Sequence, residues 1–189
     1  MKQLLFKSSI LFILLISISF SLSAQTEKGH KNFIRAGYQA SQLTNSGANY
    51  FENYSNGFFV AFMRQRPFAG ILTSQIGLQY HQGGSKLNDG NSIKLGYLAV
   101  PANIGIHLGP VKAYGGAMAA LKIHSEGQLL GITGVPESSK LNSFDATAFL
   151  GVSVKILFLG IDIQYHWGLV NVIESYKNNF LQIGANLYF

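Results

Sequence analysis

Leu181-Gln182-Ile183-Gly184-Ala185-Asn186-Leu187-Tyr188-Phe189 is the stretch whose reading decides the fold. Leu181, Ile183, Ala185, Leu187 and Phe189 form one set, and Gln182, Gly184, Asn186 and Tyr188 form the other. A β-strand sends successive side chains to opposite faces, so this segment has one apolar face and one small or polar face.

The same period of two recurs toward the N-terminus. Leu159, Ile161, Ile163, Tyr165, Trp167 and Leu169 oppose Gly160, Asp162, Gln164, His166 and Gly168. Phe144 to Ile156, Val111 to His124, Tyr97 to His107, Leu72 to His81 and Ile34 to Ser41 alternate likewise, which gives seven strands of clear facing. An eighth, Phe58 to Arg66, is apolar on both faces and alternation does not orient it. No stretch after residue 24 has 18 consecutive apolar residues, so the pattern predicts no transmembrane helix there.

Alternation alone fits a soluble lipocalin-like barrel as well as a membrane barrel. A soluble barrel turns its polar set to water, and charged residues then dominate that set. Here it holds mainly Gly, Gln, Asn, Thr and Ser, while the apolar set is nearly free of charge, so the apolar face is expected to point outward into lipid. The connections agree. Thr44 to Gly57, Gly83 to Ser92, Ser125 to Ser143 and Asn171 to Asn179 are long, and Pro67 to Gly70, Gly109 to Pro110 and Leu157 to Phe158 are short. Long and short alternate, as in a barrel with tight periplasmic turns and longer outer loops. The expected fold is all-β, an eight-stranded antiparallel up-and-down transmembrane β-barrel at residues 33–189.

Residues 1–24 read as a cleaved signal peptide, with Lys2 and Lys7 before the apolar run Ile10 to Phe20 and small residues ending at Ala24. Residues 25–32 follow as a short N-terminal segment. The chain is therefore expected to be exported to the cell outer membrane. It has 189 residues and no cysteine, which excludes a disulfide framework and a thiol-borne lipid anchor. Charged residues make up 12%, about half of what a soluble domain carries. The formal charge of +6 falls to +4 without Lys2 and Lys7, and no Lys/Arg stripe forms, so nucleic acid is not an expected partner.

Several pieces carry a family resemblance: Ile34-Arg35-Ala36-Gly37-Tyr38-Gln39-Ala40-Ser41, Leu78-Gln79-Tyr80-His81-Gln82-Gly83-Gly84, Tyr97-Leu98-Ala99-Val100-Pro101, Phe144-Asp145, Tyr165-His166-Trp167-Gly168-Leu169-Val170-Asn171 and Tyr188-Phe189. In their order and spacing the chain resembles the small PorT-like outer-membrane barrels of Bacteroidetes over most of residues 33–189. The resemblance implies an outer-membrane barrel, with the terminal aromatic Phe189 looking like the signal read by the barrel-assembly machinery. Some such proteins are linked to secretion or gliding; no catalytic signature comes with the resemblance.

The candidate functional residues are those expected to face the lumen: Arg35, Gln39, Gln79, His81, Asn103, His107, Lys112, Lys122, Asp145, Lys155, Asp162, Gln164 and His166. His124 falls on the same set by its parity with Lys122. An eight-stranded barrel is only wide enough for side chains to fill it, so these charges are expected to pair across a filled lumen rather than line a pore. Four histidines on separate strands do not define the convergent set a metal needs. His124-Ser125-Glu126 contains the residue types of a nucleophile relay, but consecutive strand positions face opposite sides. No catalytic, metal or cofactor site is therefore expected. Tyr38, Tyr80, Tyr165, Trp167 and Phe189 are placed outward as interfacial aromatics. The leading expectation is a structural or interaction protein, in contact with outer-membrane lipid and meeting an unknown protein partner at its outer loops, the longest being Ser125 to Ser143. The alternatives are a narrow channel or secretion-associated barrel, a lipid-modifying enzyme, and a soluble ligand-binding barrel.

Overall fold

A computed structural model describes residues 31–44, 53–86, 92–127, 142–173 and 176–189. The expected signal segment and the centres of the outer connections lie outside the described residues. The described residues form nine strands: β1 Lys31–Thr44, β2 Asn53–Ala69, β3 Leu72–Lys86, β4 Ser92–Leu108, β5 Val111–Gly127, β6 Phe144–Ile156, β7 Leu159–Gly168, β8 Asn171–Ile173 and β9 Tyr176–Tyr188. β1 to β7 pair antiparallel in chain order, β7 pairs antiparallel with β9, and β9 returns to pair with β1. The three-residue β8 pairs only with β9, so the wall of the barrel has eight strands.

Following cross-strand partners once round from Arg66 through Ser74, Ile104, Gly115, Leu150, Tyr165, Leu181 and Ala40 arrives at Asn56, ten residues along β2. Eight strands with that stagger tilt by about 40° and enclose a cylinder with a backbone radius of ~8 Å. Side chains alone fill such an interior.

The faces divide as the alternation requires. Ile161, Ile163, Tyr165, Trp167 and Leu169 are exposed, whereas Asp162, Gln164, His166 and Gly168 between them are buried. Because no water-soluble fold buries glutamines and aspartates while exposing isoleucines, the exposed side must meet hydrocarbon. From Leu159 to Leu169 the apolar belt rises about 25 Å at this tilt, the height of an outer-membrane lipid-facing band.

β2 is oriented by its partners rather than by its own pattern. Phe59, Ala61 and Met63 point inward and are buried; Phe58, Val60 and Phe62 point to lipid. Phe59 fits because Gly184 on β9 leaves room for its ring, and Gly37, opposite Gly184 across the β1–β9 seam, lets the two strands approach closely. A Cβ on Gly184 would lie 2.6 Å from Phe59 Cζ, and one on Gly37 would collide with the Ile183 carbonyl.

The strands reach further outward than their turn residues predicted. β2 begins at Asn53, β3 continues to Lys86, and β5 runs through His124 to Gly127 opposite Ile93 to Gly96. The inner turns are tight as expected, at Gly70-Ile71, Gly109-Pro110 and Leu157-Phe158. Gly70 and Gly109 supply the left-handed φ of two of them, and Leu157 adopts φ 57° in the third.

Replacing Gly37 by Val forces a branched side chain into the seam. The variant is expected to lose the protease-resistant folded form after refolding into vesicles, while Gly70→Ala, whose new Cβ meets open space and adds only the strain of one left-handed residue, about 1–2 kcal/mol, retains it. Equal protection of both variants would contradict the close approach at the seam.

Candidate functional site

The chemistry of this molecule is concentrated inside the barrel. Arg35 on β1 sits near mid-height, 3% exposed, in a lumen where its guanidinium must find partners or be expelled. One Nη lies 3.4 Å from Asp162 Oδ2; the other donates to Gln79 Oε1 at 2.6 Å and Gln182 Oε1 at 3.0 Å. Its plane also stacks over Phe59 at 4.9 Å from the ring centroid. Four strands thus converge on one cation.

From Asp162 the network continues along the neighbouring strands β5, β6 and β7. Tyr114 Oη donates to Asp162 Oδ2 at 2.8 Å, Gln164 Nε2 donates to Tyr114 Oη at 2.6 Å, and His166 Nε2 lies 3.1 Å from Gln164 Oε1. Thr147 Oγ1 closes the row, 3.1 Å from His166 Nδ1. On the other side Gln182 donates to Gln39 Oε1 at 2.7 Å, and Gln39 donates to the Gln82 carbonyl at 2.6 Å. Arg35–Asp162 is a buried ion pair, so its attraction offsets a large desolvation cost, and the extra hydrogen bonds are what make it tolerable. Arg35 Nε and Asp162 Oδ1 are left without hydrogen bonds.

Above this layer, toward the outer end, the lumen is closed by rings. His166 stacks between Phe149 at 4.7 Å and Phe180 at 4.2 Å; His81 stacks between Tyr97 at 5.2 Å and Phe180 at 5.4 Å. Leu43, Leu95, Met118 and Val172 complete the plug. Asp145 lies beside it, accepting from Asn178 Nδ2 at 3.1 Å. Below the Arg35 layer Phe33, Ala61, Met63 and Tyr188 form a second plug, with Lys112 4.7 Å from the Tyr114 ring and Lys155 4.4 Å from the Tyr188 ring. The polar middle layer therefore lies between two clusters of rings and aliphatic side chains, and below the lower one a further buried polar pair, Gln75 donating to Gln65 Oε1 at 2.6 Å, occupies the inner end.

Of the expected lumen residues, Arg35, Gln39, Gln79, His81, Asn103, Lys112, Asp145, Asp162, Gln164 and His166 are buried, while His107, Lys122 and Lys155 are half-buried on the same side. The structure brings Arg35, Gln39, Gln79, Asp162, Gln164 and His166 into one network and holds His81 and Asp145 above it. His124 departs from expectation: it is exposed on the outer face. The pairing slips between Gly96↔His124 and Tyr97↔Lys122, so Ile123 is a bulged residue and His124 beyond it reverses face. Tyr114, Gln182, Phe59 and Phe180 were not singled out. Alternation had put Tyr114 and Gln182 inward, but nothing in it reveals that they reach the Arg35–Asp162 pair.

A closed eight-stranded barrel with a lipid-facing belt and a filled, hydrogen-bonded lumen defines the class of small outer-membrane β-barrels. The chain belongs to the outer membrane protein beta-barrel domain family, whose model matches residues 23–174. It is similar in fold to Ail, the attachment invasion locus protein of Yersinia pestis, in the structure of its complex with the heparin analogue sucrose octasulfate. That likeness has a TM-score of 0.52 and 16% identity over 85% of this chain and 99% of the other. Neisserial surface protein A (NspA) is similar at TM-score 0.53 and 17% identity, over 86% of this chain and 100% of the other. No curated protein matches it. The protein is located in the outer membrane.

Removing Arg35 alone strands Asp162. Arg35→Met is expected to cost about 3–5 kcal/mol in urea unfolding from vesicles, followed by the emission of the single tryptophan, Trp167. The double variant Arg35→Met/Asp162→Asn is expected to recover at least ~2 kcal/mol of that loss. Strict additivity of the two substitutions would contradict a coupled pair.

Proposed function

We propose that this protein is a non-enzymatic, non-conducting outer-membrane barrel that acts as a rigid platform for a protein partner. The observation that carries the reading is the filling of the lumen, with a polar layer centred on Arg35–Asp162 held between two plugs of rings and aliphatic side chains. An ion crossing it would have to displace the stacked His166–Phe180 pair and the Phe33–Tyr188 pair, whose centroids are 4.2 and 4.8 Å apart.

The non-enzymatic reading is supported by where the reactive groups lie. Thr147 and His166 are hydrogen-bonded, but both are buried in the lumen and His166 is sandwiched between rings, out of a substrate's reach. With the interior closed and the belt in lipid, the outer connections are the parts left to meet a partner, and loops on rigid scaffolds carry most variation in function. The longest, whose centre at 128–141 lies outside the described residues, is the favoured contact. The barrel-assembly machinery is the expected partner during insertion. The strand sequences favour the PorT-like branch of the family, which fits a docking role in a secretion or gliding assembly.

Two measurements test this. In planar bilayers the folded protein is expected to give no discrete conductance steps, and stable openings would favour the narrow-channel reading instead. In cells, a photo-crosslinker placed at Ser138 in the long outer connection is expected to yield a discrete protein adduct, and one at the lipid-facing Ile163 none. The reverse pattern would overturn the docking role.

A further inference from the structure

Arg64 and Arg66 are two residues apart on β2, so both point outward from the same face of the strand, and both are exposed. They stand at the lower, periplasmic edge of the belt, directly below Phe62. Their cross-strand neighbours on that face are Asn32 and Ile76 for Arg64, and Ser74 for Arg66. Neither guanidinium makes a hydrogen bond, an ion pair or a ring contact among the described residues. Two adjacent cations at the rim of a lipid-facing surface, with no carboxylate side chain paired to them among the described residues, are placed to take a counter-ion from the membrane itself.

The arrangement is local. At the level the barrel's stagger assigns to these arginines, the outward positions elsewhere round the wall are apolar: Ile106, Val154, Ile161 and Leu187 are all exposed. This is one cationic patch on one strand, flanked by the polar Asn32 and Ser74, rather than a basic girdle. Below it Phe68 and Ile71 are exposed apolar residues that bound the patch on the periplasmic side. Phe62 and Ile34 bound it above and offer a surface for an acyl chain.

We propose that Arg64 and Arg66 bind the headgroup phosphate of an anionic phospholipid in the periplasmic leaflet. Guanidinium groups recognise phosphate oxygens by paired, charge-assisted hydrogen bonds, and the low-dielectric rim of the belt strengthens them. Asn32 and Ser74 supply further polar groups beside the phosphate. The acyl chains of that lipid lie against Ile34 and Phe62.

The test uses the full folded chain in an uncharged detergent, titrated with dioleoylphosphatidylglycerol and read by native mass spectrometry. The wild type is expected to retain the lipid, and R64Q/R66Q to bind it roughly twenty-five-fold more weakly, from about a fivefold loss per arginine. K94Q, an exposed cation at the opposite end of the barrel, is expected to bind as the wild type does, and inorganic phosphate at equal concentration is expected not to displace the lipid. If the double variant does not fold, R66Q alone, at the fringe of the belt, is expected to show the fivefold loss. Unchanged retention in the arginine variants, an equal loss in K94Q, or displacement by inorganic phosphate would each overturn the assignment.

Discussion

The structure depends on the seam where β9 meets β1. In hydrocarbon an unpaired backbone N–H or C=O costs several kcal/mol, so an open sheet of this length has no stable place in a membrane. The register from Phe33↔Tyr188 to Thr44↔Lys177 removes both edges at once. The stagger of the pairing then sets the tilt and the radius, and the radius sets what fits inside. Gly37 and Gly184 stand at the point where the chain closes, and the ring that Gly184 makes room for carries Arg35 on its face.

Once closure fixes a narrow interior, the interior has to be satisfied without water. The solution here is layered. A charged pair with glutamine and tyrosine donors occupies the middle, where contacts are drawn from β1, β3, β5, β7 and β9, and aromatic and aliphatic side chains pack above and below it. The buried pair ties β1 to β7, strands far apart in sequence, so it reports on correct assembly of the whole wall rather than of any one hairpin. A rigid, plugged cylinder of this kind leaves the outer connections and the lipid-facing surface as the parts that can interact with other molecules.

Much of this was legible in the sequence because a strand has a period of exactly two residues. The segments ending in Phe189 and in Leu169 assign their own faces, and the alternation of long and short connections gives the direction of insertion. Three features escaped that reading, each for a physical reason. β2 carries Phe58, Phe59 and Phe62, so its pattern is apolar on both sides; the space that Gly184 on β9 leaves for the Phe59 ring goes with the inward facing of that residue. His124 reverses side because the bulge at Ile123 adds a residue to one strand only, and parity cannot count a residue whose partner is absent. The network around Arg35 joins side chains more than a hundred residues apart, which alternation places inward but does not bring together. The strands were also expected to end sooner than they do, since turn-forming residues near their outer ends are accommodated within continuing ladders.

The claim on which all of this stands is closure between the first strand and the last, and a single disulfide measures it. The chain has no cysteine of its own, and Ala36 and Ala185 are direct partners across the seam, at a spacing that antiparallel pairs place within disulfide reach. In Ala36→Cys/Ala185→Cys, oxidation in the outer membrane is predicted to form an intramolecular bond, seen as a faster-migrating, reductant-sensitive band after boiling. Free thiols in the membrane-inserted protein under the same oxidation would contradict a closed barrel.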